Sequence, residues 1–114
     1  MKRVLLLTMG ALVCCSAPAS ATTNVYSHAW NESFTLAECF SRAKKVATAN
    51  GFTVDQEEVL DDDKKDGTFF AFSADTPFSL AVRCMPTRGI ISIGVGGIGN
   101  RATFDVYEEI VQEF

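Results

Sequence analysis

Cys39 and Cys84 each fall on the apolar side of a segment, and the two segments have different periods. That coincidence limits the fold more than any other feature of the sequence. Around Cys39, the residues Leu36, Phe40, Ala43, Val46 and Ala47 recur at the spacing of one helix face. Around Cys84, the residues Phe78, Leu80 and Val82 share one side of an alternating strand, while Ser79, Ala81 and Arg83 take the other. A bridge between the two cysteines therefore joins a helix to a strand through the interior. The chain has four cysteines, and Cys14 and Cys15 belong to an N-terminal leader, which leaves this single intrachain pairing. In the chain-entropy picture a cross-link closing a loop of this length contributes about 4 kcal/mol, a large part of the roughly 5 to 15 kcal/mol a domain has in total.

The leader has three parts. Lys2 and Arg3 give a positive start, Val4 to Val13 form an apolar run broken only by Thr8 and Gly10, and Ala19-Ser20-Ala21 supplies the small-x-small pattern of a cleavage site. The run is shorter than the about 20 apolar residues needed to cross a membrane. The expectation is a signal peptide over residues 1–21 and a single compact domain over 22–114, exported to a periplasmic or secreted location where disulfides persist. No transmembrane segment is expected once the leader is removed. A lesser alternative is a lipid anchor at Cys15, because Leu12-Val13-Cys14-Cys15 looks like a lipobox. Cys14 stands there in a position usually held by a small residue.

A domain of this length buries one modest core and has no room for a large cofactor fold. Without Lys2 and Arg3 the 10 basic residues fall to 8 against 14 acidic ones, and the formal charge moves from −4 to −6. That balance argues against nucleic-acid partners, which require a basic footprint.

Along the domain, Tyr26, His28 and Trp30 alternate in a short strand that suits a sheet edge. Thr35-x-x-Glu38 forms a capping box with Phe34 ahead of it, so the first helix runs from Leu36 to Ala49 and stops at Asn50-Gly51. From Phe52 onward the period changes to two, and Phe52 and Val54 open a strand that runs into the acidic stretch from Asp55 to Asp66. Three further strands are expected over Thr68 to Ser73, Phe78 to Met85 and Ile90 to Val95, joined by hairpin-length turns. Asn100 caps a closing helix with Phe104, Val106, Tyr107, Ile110, Val111 and Phe114 on its apolar arc. This order predicts an α+β fold in two layers, an antiparallel meander of about four strands with two helices on one face.

The succession of Cys39 on a helix, Gly51-Phe52, Val82-Arg83-Cys84, Gly89 and the run Ile90 to Gly97 resembles a group of small exported bacterial proteins of unknown function that carry a helix-to-strand cysteine pair. The resemblance implies the fold and the disulfide and brings no activity with it.

Motifs that would carry chemistry fail on context. Gly94-Val95-Gly96-Gly97-Ile98-Gly99 spells a dinucleotide fingerprint, but too little chain follows to supply a second strand and a ribose-binding acid. A tight glycine turn between strand and helix is the expected role. An EF-hand begun at Asp62 would put Lys64 and Ser73 where carboxylates are required. His28 is the sole histidine, with Glu32 as its only suggested acid/base partner. No catalytic, cofactor-binding or metal-binding residue is therefore assigned, and no cofactor is expected. What remains is surface: Asp61, Asp62 and Asp63 as an acidic cluster, and Phe69, Phe70 and Phe72 with rings on both sides of one strand. These are candidate partner-binding residues, because acidic clusters speed association with basic proteins and exposed rings act as hot spots. The expected function is a non-enzymatic interaction module, inhibitor-like or immunity-like, for a cationic envelope or secreted protein. A small-ligand or ion-binding envelope protein is the first alternative and a small hydrolase the second.

Overall fold

A computed structural model describes residues 23–75 and 77–114; the expected signal peptide, with Cys15, lies outside the described residues. The elements are β1 (Thr23–Asn31), α1 (Leu36–Ala49), β2 (Val54–Leu60), β3 (Gly67–Phe72), β4 (Ser79–Met85), β5 (Ile90–Ile98) and α2 (Asn100–Glu113). The fold is α+β with two helices and one antiparallel sheet of five strands in the order β1-β5-β4-β3-β2. β2 to β5 form the meander. β1 pairs beside β5, and the connection through α1 carries the chain from one sheet edge to the other.

The sheet has five strands where about four were expected; the strand opened by Phe52 and Val54 is β2, which begins at Val54 and occupies much of the acidic run. None of its residues is buried, so past Val54 it has no apolar alternation to mark how far it runs. It is also irregular: its register on β3 shifts between Val54 and Glu57, and Asp55 has a positive φ of 49°. Gln56 pins this bulge to the end of α1 by donating to Phe52 O at 2.8 Å and to Thr48 Oγ1 at 3.1 Å.

α1 has the expected limits because its ends are chemically defined. Thr35 Oγ1 accepts from Glu38 N at 3.1 Å and Glu38 Oε2 accepts from Thr35 N at 3.0 Å, closing the capping box. At the other end Gly51 takes the left-handed conformation at φ 81°. α2 begins differently from expectation. Gly99 occupies the N-cap position without a side-chain cap, and Asn100 is the first helical residue, its Oδ1 accepting from Tyr26 Oη.

The core joins Cys39, Phe40, Ala43, Val46 and Ala47 of α1 to Phe69, Ala71, Leu80, Val82, Cys84, Ile91, Ile93 and Val95 of the sheet, with Phe52 and Ile110. Cys39 and Cys84 are bonded, both fully buried, with their Cα atoms 6.1 Å apart. α1 packs on β3 and β4, and α2 packs on β5 and β1. Tyr26 meets Phe104 edge-on at 5.2 Å between ring centroids, and Trp30 meets Phe114 at 5.5 Å.

β5 runs three residues beyond its expected end, through Gly96 and Gly97 to Ile98. The glycine-rich motif is therefore mainly strand, and only Gly99, at φ 92°, makes the turn into α2. Gly97 is required for close approach: a Cβ there would lie 2.8 Å from Thr103 Oγ1 and 2.6 Å from Phe78 Cε1.

Candidate functional surface

β3 reads Gly-Thr-Phe-Phe-Ala-Phe, and the two-residue period divides its rings. Phe69 and Ala71 are buried with the disulfide, whereas Phe70 and Phe72 are 38 % and 47 % exposed. Phe69 is thereby removed from the candidate partner-binding set, since its ring fills the core beside the residues packed under α1.

The paired registers give the composition of the Phe70 side strand by strand. One row across the sheet reads Val54, Phe72, Ser79, Gly96, Val25, and the next reads Glu57, Phe70, Ala81, Gly94, Ser27. The two phenylalanines thus stand beside a band of small residues, and nothing lies within 4 Å of where a Gly94 Cβ would be. On the β2 side they border an open hollow lined by Asp55, Gln56, Glu57, Phe70 and Phe72. Two carboxylates from the bulged strand therefore flank two half-exposed rings.

The acidic cluster is divided by its contacts. Asp61 makes a bidentate ion pair with Arg83, with both oxygens at 2.6 Å, and Arg83 Nη1 also donates to Thr68 Oγ1 at 3.2 Å. The Arg83 hydrogen bonds hold the Asp61 carboxyl below its ordinary range and raise the Arg83 guanidinium in turn. Asp63 Oδ1 accepts from Lys65 N at 2.9 Å within the turn, and Asp62 is exposed. Asp66 is buried and ties this turn to the next one, accepting from Thr87 Oγ1 at 2.6 Å and Thr87 N at 3.2 Å. The carboxylates that share a hollow with the exposed rings are Asp55 and Glu57, which the sequence grouped with the run without singling them out. Their position could have been found by extending the strand period backward from Phe69 across the turn.

The remaining motifs are held structurally. His28 is exposed and stacks on Trp30 with ring centroids 5.7 Å apart. Its suggested partner Glu32 is instead bonded to Arg42, and that hydrogen bond lowers the Glu32 pKa. Arg42 also donates to Phe114 O at 2.6 Å and sits over the Phe114 ring at 4.6 Å. Arg101, beside the glycine motif, pairs with Asp105 at 3.3 Å. Among the described residues no three His, Cys, Asp or Glu side chains converge as metal ligands, and no helix is long and apolar enough to cross a membrane. No family model, characterised protein or solved structure matches the chain.

Proposed function

We propose that this domain is a non-enzymatic protein-interaction module, inhibitor-like or immunity-like, that binds a cationic protein through the sheet side carrying Phe70 and Phe72. The observation that supports it is the placement of two half-exposed rings beside Asp55 and Glu57. Rings of this kind supply contact area, and flanking carboxylates attract a basic surface during approach. In this reading both helices lie on the side of Cys84 and leave the Phe70 side open. Ile98 and Val25 extend its apolar content, being 51 % and 70 % exposed. Export to an oxidising compartment belongs to the same proposal and is compatible with the Cys39–Cys84 bond.

The test is capture from an envelope extract with the disulfide-bonded protein, run in parallel with a Phe70→Ala/Phe72→Ala variant. A basic protein retained by the wild type and lost from the variant supports the proposal. Its dissociation should accelerate in each single ring variant, and its association should slow with salt and with Glu57→Gln. Identical capture by both proteins, or capture that ignores salt and Glu57, removes the Phe70 surface from consideration.

A further inference from the structure

The two edges of the sheet are built differently. β2 is protected against pairing with another strand: it is bulged, it holds Asp55 at a positive φ, and it carries Asp55, Glu57 and Glu58. Bulges and charges of this kind are what sheet proteins use to keep an edge single. β1 has neither device. Its sequence, Thr-Asn-Val-Tyr-Ser-His-Ala-Trp-Asn, contains no Asp, Glu, Lys or Arg, and its pairing with β5 is unbroken from Thr23 to Asn31. Among the described residues no strand pairs with its outer side. An unbulged nine-residue edge presents backbone donors and acceptors, over residues 25–31 above all, that another extended strand satisfies.

We infer that β1 pairs with β1 of a second copy, antiparallel and about a two-fold axis, to give a continuous ten-stranded sheet. Charge selects this occupant. The chain is acidic overall, so copies repel through most of their surface, and β2-to-β2 contact would bring carboxylates together. β1 is the edge along which two acidic copies meet without opposing charges. The pairing is also closed: after β1 joins β1, both outer edges are the protected β2, so the assembly stops at two rather than growing into a fibre. The two-fold that overlaps the whole of β1 passes through Ser27, setting Tyr26 opposite His28 of the second copy and Val25 opposite Ala29. Cross-strand aromatic and aliphatic pairs of that kind stabilise sheet contacts. Val25, 70 % exposed in one copy, would then be covered on its outer side.

The experiment is sedimentation of the purified disulfide-bonded protein over a dilution series, with Val25→Lys and Ala29→Lys at one edge and Glu57→Lys at the other. The wild type should be a dimer that dissociates on dilution. Each β1 lysine should weaken it by about tenfold or more, because two like charges are brought into one small contact, while Glu57→Lys should leave it intact. Register is tested with Ser27→Cys and Ala29→Cys. The first places two thiols on the axis and should give a covalent dimer under mild oxidation, and the second should cross-link far less. A wild type that stays monomeric throughout overturns the inference and leaves the edge for another protein's strand. A dimer sensitive to Glu57→Lys but not to the β1 lysines, or cross-linking equal at the two positions, overturns it as well. None of these outcomes depends on whether Phe70 and Phe72 bind a cationic partner.

Discussion

The two sides of the central sheet differ although the same strands make both. On the Cys84 side β3, β4 and β5 present Phe69, Ala71, Leu80, Val82, Ile91, Ile93 and Val95, all at most 2 % exposed. On the Phe70 side the same strands present Phe70, Phe72, Ser79, Ala81, Arg83, Ser92, Gly94 and Gly96, none of them buried. The first side carries bulky branched residues and shares one core with the buried residues of α1, tied by the Cys39–Cys84 bond. The second is largely small, and its large rings are confined to β3. Burial is a property of the residue's parity on the strand, so neighbouring phenylalanines in one dipeptide have different roles.

The most severe way to break this comparison is to truncate one β3 ring on each side of the sheet. Phe69→Ala should cost about 3–5 kcal/mol, the range for removing a buried ring and leaving a cavity. Phe72→Ala should cost below about 1 kcal/mol, because nearly half of that ring is already in water. Urea unfolding of the two variants measures the difference. Equal losses would mean that the Phe70 side is covered in solution by something that also needs the ring.

Next in size is Gly97→Ala. Alanine normally favours a strand over glycine, but here the added methyl meets Thr103 Oγ1 and the Phe78 ring at sub-contact distances. Overpacking of this kind costs roughly 1–3 kcal/mol, so the variant should melt earlier than wild type despite its better intrinsic propensity. An unchanged melting temperature would show that Phe78 swings aside freely. It would then also show that the glycine is not what brings α2 close to β5.

Much of the packed side was legible because burial writes a period into the sequence. The helix limits of α1 followed from Thr35, Glu38 and Gly51. The inward set of β4 and β5 followed from alternation, and Cys39 with Cys84 followed from two periodicities that agree. The Phe70 side and the edges were less legible for the same reason. β2 leaves every residue at least partly exposed, so the period marks where that strand opens, near Val54, but not how far it runs into the acidic stretch. Gly96 and Gly97 suggest a turn in sequence, yet they are strand, and what packs against Gly97 comes from α2 and the β3–β4 connection. The separation of Asp61 as an ion pair and Asp66 as a buried tie from the exposed Asp62 and the turn acceptor Asp63 depends on Arg83 and Thr87, which are distant in sequence.

Gly94→Ala sharpens the comparison with the opposite sign. Gly94 has no positive φ and an open space where its Cβ would be. Reducing the freedom of the unfolded chain should therefore stabilise the domain by about 0.4–1 kcal/mol. Measured beside Gly97→Ala in the same denaturant series, the two glycines of β5 should move the midpoint in opposite directions. A loss at both positions would indicate that the Phe70 side is packed against a partner that has no room for a methyl.

The smallest expected effect on stability at neutral pH concerns the ion pair at the rim of the Phe70 side. Asp61 and Arg83 are each about one-third exposed, at 36 % and 34 %, so water and salt screen much of their attraction. Asp61→Asn also leaves Arg83 partly compensated, because Asp66 and Asp63 still act on it. The variant should keep the fold and nearly the wild-type urea midpoint at neutral pH. The sign of the pH dependence is fixed by the direction of the Asp61 shift. Its folded pKa is lowered, chiefly by the hydrogen bonds from Arg83, so the ionised form is favoured by folding. The stabilisation is present above the ordinary carboxylate range and is lost as the pH falls through the lowered folded pKa. Wild type should therefore lose stability more steeply than Asp61→Asn on acidification, and the gap between their midpoints should close at the acid end. Glu32, lowered in the same direction by Arg42, supplies a common background slope in both proteins. Parallel acid profiles would show that Arg83 gives the folded state no preference for ionised Asp61, and a collapse of Asp61→Asn at neutral pH would make the pair a structural clamp instead of a screened surface contact.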